Sequence, residues 1–319
     1  MSRVAVLKGG SSLERQVSLR SGARVEDALE RLGHEVAAID VGADLIHRLR
    51  DWRPDAAFVA MHGPDGEDGT VQELLEILGI PYTGSGVLAC LRSIDKTLTK
   101  YLCEEAGIPT PPFFSFNETA FERLGAAETL PAIEERLEFP IVVKPANGGS
   151  ALGVKFASHA RDVPSALVAA FSYDSRVILE RHVAGRELAV SIVEGGSDGP
   201  LALPVVEAVP RDEDFYDFEA RYEIGRTDFV CPAELPPETT DRAHSIALDV
   251  YRLLGLEGFG RVDLMLEADS GELFVLEANA IPGLTETSLL PQAAEAAGID
   301  FDALIARVLD LALARGVPA

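Results

Sequence analysis

Apolar positions along this chain recur at two spacings, and the places where one gives way to the other mark its elements. Residues 3–7 form a short β-branched and apolar run. After it Val17, Ser21, Val25, Ala28, Leu29 and Leu32 return at helical spacing until Gly33 stops them. The segment HEVAAID predicts a second strand. Strand, glycine-rich loop (Lys8-Gly9-Gly10-Ser11-Ser12), helix and strand in that order predict a parallel sheet wound in the Rossmann manner. The loop lacks the glycine spacing of a dinucleotide fingerprint, so no nicotinamide cofactor is expected.

Residues 56–61 read as a third strand, ending in MHGPDGEDG, where Gly63, Gly66 and Gly69 interleaved with acids require a loop. VQELLEIL is a short helix. A longer amphipathic helix is expected over 87–106, with Asp95-Lys96 near its middle, and Pro109, Pro111 and Pro112 make a linker. EFPIVVKPANGGSALGVKFAS then predicts a strand with Lys144 near its end, a loop with Gly148, Gly149 and Gly153, and another strand. Such a loop either folds over phosphates as a lid, with Lys144 as a point charge, or is a plain flexible hairpin.

RVILER and RELAVSIV alternate into strands that carry Glu180 and Glu187. Residues 211–232 are polar, aromatic and aperiodic, predicting a long loop anchored by Phe215, Tyr216, Phe218 and Tyr222 as a cover over a site. Helices are expected over 236–254, 289–297 and 301–315.

Between those helices, residues 260–284 (GRVDLMLEADSGELFVLEANAIPGL) read as a β-hairpin. With the turn centred on Ser270, Asp263 faces Glu277, Arg261 faces Asn279, and all four share one face. Facing carboxylates repel unless a cation or proton lies between them. Two carboxylates and an amide oxygen form an Mg²⁺-type donor set. The alternative is a solvent-facing edge whose acids never meet, which one residue of register slip would produce.

Composition narrows the classes. A chain of 319 residues exceeds the usual single domain, so two or three are expected. No stretch reaches the roughly 18 uninterrupted apolar residues of a membrane span, and the first residues do not read as a signal peptide. A soluble, cytoplasmic protein is therefore expected. Cys90, Cys103 and Cys231 are too widely spaced for a disulfide or zinc framework. A formal net charge of −24 argues against a nucleic-acid partner. Glu14, where the first loop meets its helix, and His62, at the third strand's end, stand at the sheet edge where ligands bind. Glu14 is equally explained as an acid favoured by a helix N-terminus, and a lone histidine is more often structural.

Together the blocks VLKGGSSLERQVSLRSG, HGPDGEDGTVQELLE, PYTGSG with DK, VVKPANGGSALGV, FYDFEARY, and RVDLMLE with LEANAIPGLTETSLLP resemble, in order and spacing, those of the D-alanine-D-alanine ligase family. The resemblance covers nearly the whole chain. It implies an α/β and α+β architecture, an ATP-grasp fold behind an N-terminal Rossmann-like parallel α/β domain. The implied domains are an N-terminal substrate-binding domain (1–100), a central lid domain (101–185) and a C-terminal domain with the metal site and cover loop (186–319). The implied activity is ATP-dependent: one D-alanine carboxylate is phosphorylated to an acyl phosphate, which the amine of a second D-alanine attacks, for peptidoglycan precursor synthesis.

Carried over by motif, Asp263, Glu277 and Asn279 hold two Mg²⁺ ions, with Mn²⁺ as a substitute. Lys96 and Lys144 contact the ATP phosphates, and Glu180 and Glu187 orient adenine and ribose. Glu14 receives the first D-alanine's ammonium, with His62 nearby. Arg261 and the Gly283 N–H are implied oxyanion stabilisers, and Ser288 takes the second substrate's carboxylate. Ser150 and Tyr222 form a network with Glu187. A homodimer is also implied, and no membrane partner. Ala151, Phe218 and Arg221 depart from the family's usual Ser, Tyr and Lys, which bears on kinetics and deletes no metal ligand or phosphate lysine. The competing readings are a ligase that takes D-serine or D-lactate second, and a nucleotide-binding regulator without chemistry.

Overall fold

The computed structural model describes residues 1–195, 199–210 and 227–316. Val4, Ala5, Val6 and Leu7 are fully buried because strand β1 (Arg3–Gly9) lies between parallel neighbours, β2 (Glu35–Val41) and β3 (Ala56–Val59). A central parallel strand is covered on both faces, and its sequence is apolar without alternation for that reason. Helix α1 (Arg15–Arg31) makes the crossover and buries Val17, Ser21, Val25, Ala28 and Leu29, a stripe of one helical face. Helix α2 (Leu45–Trp52) connects β2 to β3, and α3 (Thr70–Leu78) follows the glycine-rich loop after β3.

The helix expected over 87–106 is two helices, α4 (Val87–Ile94) and α5 (Lys96–Ala106). Asp95 between them is extended, with φ −83° and ψ 99°, and its carboxylate accepts hydrogen bonds from the Thr97 and Leu98 N–H groups. A cap of this kind contributes about 1 kcal/mol. The amphipathic stripe runs on through the break, so periodicity alone continues the helix. The cap turns Lys96 from a mid-helix residue into the first residue of α5.

The second sheet is antiparallel, in the order β4 (Phe113–Asn117), β7 (Arg176–Arg181), β5 (Ile141–Pro145), β6 (Lys155–Ala157). Helices α6 (Glu118–Arg123), α7 (Leu130–Leu137) and α8 (Val163–Phe171) accompany it. It has its own apolar core, including Leu137, Ile141, Val143, Leu167 and Leu179. The third sheet runs β11 (Thr227–Val230), β10 (Val206–Pro210), β8 (Gly185–Glu194), β12 (Phe259–Glu267), β13 (Leu273–Asn279), with β9 (Pro200–Ala202) paired to β8. Helix Pro237–Leu254 packs on it through Ala243, Ala247, Val250 and Leu254. Strand β11 corrects part of the loop expected over 211–232. Its four residues are too few for a periodic signal, and its partner β10 lies upstream of residues that are not described. Residues 211–226, with Phe215, Tyr216, Phe218, Arg221 and Tyr222, lie outside the described residues.

The first and third sheets share one core, whereas the second keeps its own. The C-terminal helices complete the shared core. Arg24 on α1 donates to the Leu284 carbonyl at 2.6 Å and stacks over Phe301, and Arg31 pairs with Asp302. Arg315, ending helix Phe301–Arg315, donates to the carbonyls of Tyr82 and Gly84 at 2.8 and 2.9 Å and pairs with Glu257. Among the described residues, no helix is long and apolar enough to cross a membrane.

Candidate active site

The hairpin β12–β13 pairs Asp263 with Glu277 and Arg261 with Asn279, as its alternation predicts. Nearer the turn the register differs: Leu264 pairs with Val275 and Leu266 with Leu273, and Leu276 is the extra residue of a bulge. A uniform register centred on Ser270 is therefore corrected by one residue on the turn side. The bulge lets Leu276 and Glu277, adjacent in sequence, both line the same cavity, which strict alternation forbids. On its other edge β12 pairs with β8, setting Met265 against Glu187.

Neither hairpin carboxylate is left uncompensated. Arg261 holds Asp263 through two hydrogen bonds of 2.6 and 2.8 Å, and the Asn279 amide donates to Asp263 at 3.3 Å. Lys96 Nζ lies 3.2 Å from Glu277 and also donates to the Gly148 carbonyl, while the Lys96 N–H donates to Ala146. Lys96 thus ties α5 to the hairpin and to the glycine loop after β5. Among the described residues, no three His, Cys, Asp or Glu side chains form a metal cluster. The hairpin offers two carboxylates and one amide, all hard oxygen donors. Both acids already draw cationic partners, so the donor set fits Mg²⁺.

A cavity of about 540 Å³ opens between the second and third sheets, within the roughly 300–1,000 Å³ usual for small-molecule sites. Lys96, Lys144, Glu180, Glu187, Asp263 and Glu277 line it, with Val142, Met265 and Leu276 as apolar wall. Lys144 on β5 donates to Glu180 on β7 at 2.6 Å. The second oxygen of Glu180 is 3.0 Å from the ammonium of Lys100, whose side chain is wholly buried. Burial works against the Glu180 carboxylate, but Lys100 and Lys144 outweigh it and hold its pKa below the usual range. Burial also drags Lys100 down to about 8, against the attraction of Glu180.

The glycine loop reaches the first sheet. Ser150 donates to Glu14, and a Cβ at Gly149 would stand 3.1 Å from both Glu14 oxygens, so any larger residue there would press on that carboxylate. Ser150 and Ala151 both adopt left-handed backbone, with φ 59° and 55°. That region is strained for residues with a side chain and is held here by the surrounding contacts.

His62 is buried, and both ring nitrogens are engaged. The Leu284 N–H donates to Ser21 Oγ at 3.2 Å, so the Ser21 hydroxyl is free to donate to Nε2 at 2.9 Å. Nδ1 then carries the proton and donates to the Ile281 carbonyl at 3.1 Å. Desolvation lowers its pKa to about 4, with the Arg261 charge acting the same way against the Ile281 bond. His62 and Ser21 therefore pin the loop that carries Gly283, Leu284 and Ser288. A Cβ at Gly283 would lie 2.6 Å from Ser288 Oγ, which also accepts from the Thr285 N–H.

The structure thus gathers Glu14, His62, Ser150, Arg261, Gly283 and Ser288 beside the hairpin, and sets Lys96, Lys144, Glu180 and Glu187 on the cavity wall with Asp263 and Glu277. Tyr222 lies outside the described residues. Sequence reasoning misses Ser21, Lys100 and Glu67. Burial, then the Glu14 charge, pushes the carboxyl of Glu67 up, and it accepts a hydrogen bond from the Gly63 N–H at 2.9 Å. The available signals were the i, i+4 spacing of Lys100 after Lys96, and the place of Glu67 in the loop after β3.

Two antiparallel-sheet units enclosing a cavity, with a lysine from each side and a glycine loop at its rim, define an enzyme of ATP-grasp architecture. A family model for the D-ala D-ala ligase C-terminus matches residues 102–310, and one for the N-terminus matches residues 49–85. The chain is 42% identical over 311 residues to D-alanine--D-alanine ligase of Moorella thermoacetica, covering 98% of this chain and 99% of that protein. It is 43% identical over 314 residues to that of Desulforudis audaxviator, with 98% and 99% covered. A solved D-alanine--D-alanine ligase from Bacillus anthracis complexed with ATP superposes with a TM-score of 0.82 at 33% identity, over 99% of this chain and 98% of that one. The chain belongs to the D-alanine-D-alanine ligase family.

Proposed function

We propose that the chain joins two molecules of D-alanine into D-alanyl-D-alanine, converting ATP to ADP and phosphate, for peptidoglycan precursor synthesis. The observation that carries this reading is one cavity whose wall holds Lys96 and Lys144 together with Asp263 and Glu277. A carboxylate oxygen of the first D-alanine attacks the γ-phosphorus of ATP and ADP leaves. The amine of the second then attacks the acyl carbon, and collapse of the tetrahedral species expels phosphate. No covalent enzyme intermediate is needed, so positioning and charge stabilisation supply the rate.

In this reading Lys96 and Lys144 contact the phosphates from either side, and Glu180 and Glu187 orient adenine and ribose. Glu14 receives the first ammonium, Arg261 and the Gly283 N–H stabilise the oxyanion, and Ser288 takes the second carboxylate. His62, with both nitrogens engaged, serves the substrate loop from beneath. Ser150, Tyr222 and Glu187 form the network that closes the site. Asp263, Glu277 and Asn279 would hold two Mg²⁺ ions, which when bound offset the phosphate charge. The domains would run 1–100, 101–185 and 186–319 in a cytoplasmic homodimer.

The test is ADP release by the purified chain with ATP, Mg²⁺ and D-alanine, D-serine or D-lactate. ADP that depends on D-alanine, with dipeptide as product, is the expected result. Equal or better turnover with D-serine or D-lactate would reassign the second substrate, and ATP binding without D-alanine-dependent ADP would replace the ligase reading with a regulator.

A further inference from the structure

Burying an ammonium is costly, and an apolar side chain of similar volume in its place is often neutral or stabilising. Lys100 is such a group. Its side chain has no exposed surface and does not line the cavity, yet it reaches three separate elements. Nζ is 3.0 Å from Glu180 Oε2 on β7, 2.7 Å from Thr110 Oγ1, and 4.9 Å from the centroid of the Phe113 ring on β4. Thr110 passes its own proton to the Val275 carbonyl of β13 at 2.8 Å.

The arithmetic of charge gives this arrangement a purpose. Lys144 and Glu180 alone would form a neutral pair, and the pair would leave Lys144 little net attraction for an anion. With Lys100 on the other oxygen, one buried carboxylate is shared by two ammonium groups and the triad carries a net positive charge. The chain as a whole is strongly acidic, so a local excess of this kind is what an anionic ligand requires. Lys100 is also one turn after Lys96 on α5. The helix therefore presents one lysine to the cavity and sets the other beneath it.

We propose that Lys100 is a positioning residue for the nucleotide: it anchors Glu180 from behind, so that Glu180 aims Lys144 at the phosphates and the triad keeps an unspent positive charge. The proposal rests on the nucleotide-dependent reading above. It assigns Glu180 a part in holding Lys144 in addition to facing adenine.

The experiment compares wild type with Lys100→Met, Glu180→Gln and Lys100→Met/Glu180→Gln, by ATP titration calorimetry, by separate KM values for ATP and D-alanine, and by thermal melting. Lys100→Met is expected to weaken ATP binding and raise KM for ATP by about tenfold or more, while KM for D-alanine stays within about twofold. Glu180→Gln also loses the adenine contact, so the double variant should bind ATP no more weakly than Glu180→Gln alone, because Lys100 acts through Glu180. If Lys100→Met fails to fold, the double variant against Glu180→Gln carries the test: equal ATP affinity supports action through Glu180, and a further loss overturns it. Unchanged ATP affinity with only a lowered melting temperature, or equal rises in both KM values, overturns the proposal. Wild type that binds ATP but gives no D-alanine-dependent ADP sinks the ligase reading instead, and calorimetry still decides the role of Lys100.

Discussion

The two ends of the cavity solve the same problem differently. At the Glu180 end one carboxylate is clamped by two lysines, and all three groups are buried among strands β4, β5, β7 and helix α5. At the hairpin end each carboxylate has its own cation, Arg261 for Asp263 and Lys96 for Glu277, and Glu277 is partly exposed. The first arrangement is a permanent scaffold with charge to spare. The second is balanced, so its partners can be exchanged when an ion or a phosphate arrives without leaving a buried charge bare. In the proposed reading, binding rigidity and chemical exchange are kept at opposite ends of one pocket.

The contrast can be broken most severely at Glu277. Glu277→Ala is expected to abolish D-alanine-dependent ADP release while the melting temperature holds, and near-wild-type turnover would remove Glu277 from the metal site. Arg261→Ala should lower kcat by roughly 10²-fold, the cost of one oxyanion donor; retained dipeptide synthesis would put the stabiliser elsewhere. Gly283→Ala forces a Cβ against Ser288 Oγ. It should raise KM for the second D-alanine by about tenfold, a loss of roughly 1.4 kcal/mol, and leave ATP affinity alone. A change in ATP affinity instead would show that the two ends are not separable.

The remaining effect concerns pH and is read in stability, outside the kinetics. The folded pKa of His62, about 4, is below its ordinary value of 6.5, so the folded state resists the proton that the unfolded chain accepts. The stability this contributes is complete above pH 6.5 and is lost as pH falls through 4, at most about 3 kcal/mol. In urea titrations, the stability gap between wild type and His62→Gln should narrow over that window. A gap independent of pH would mean that His62 takes up its proton in the fold as readily as in the unfolded chain.

How far the sequence could be read depended on whether the controlling interaction was local. The pairing of Asp263 with Glu277 follows from alternation along one hairpin, so it is legible, but the bulge at Leu276 answers to the cavity and is not. The break at Asp95 is set by a side-chain cap that the unbroken apolar stripe conceals. Strand β4, just after the proline linker, has no sequence reading of its own, since its Phe residues gain meaning only from pairing with β7. Lys100 is the extreme case. A lysine on an amphipathic helix is ordinarily on the surface, and its burial is decided by Glu180, eighty residues later in the chain. The glycine loop and Lys144 were legible from a local strand-loop-strand pattern and Lys96 from the family motif, and all of them line the cavity.

The Arg315 contacts bear on how the molecule is made. The last turn of the C-terminal helix grips the carbonyls of Tyr82 and Gly84, and Phe301 and Asp302 cover arginines on α1. On the ribosome, then, the first sheet emerges long before the helix that seals it. Its outer apolar face must wait, partly open, through synthesis of more than two hundred residues. Long-range closure of this sort slows folding and leaves sticky intermediates.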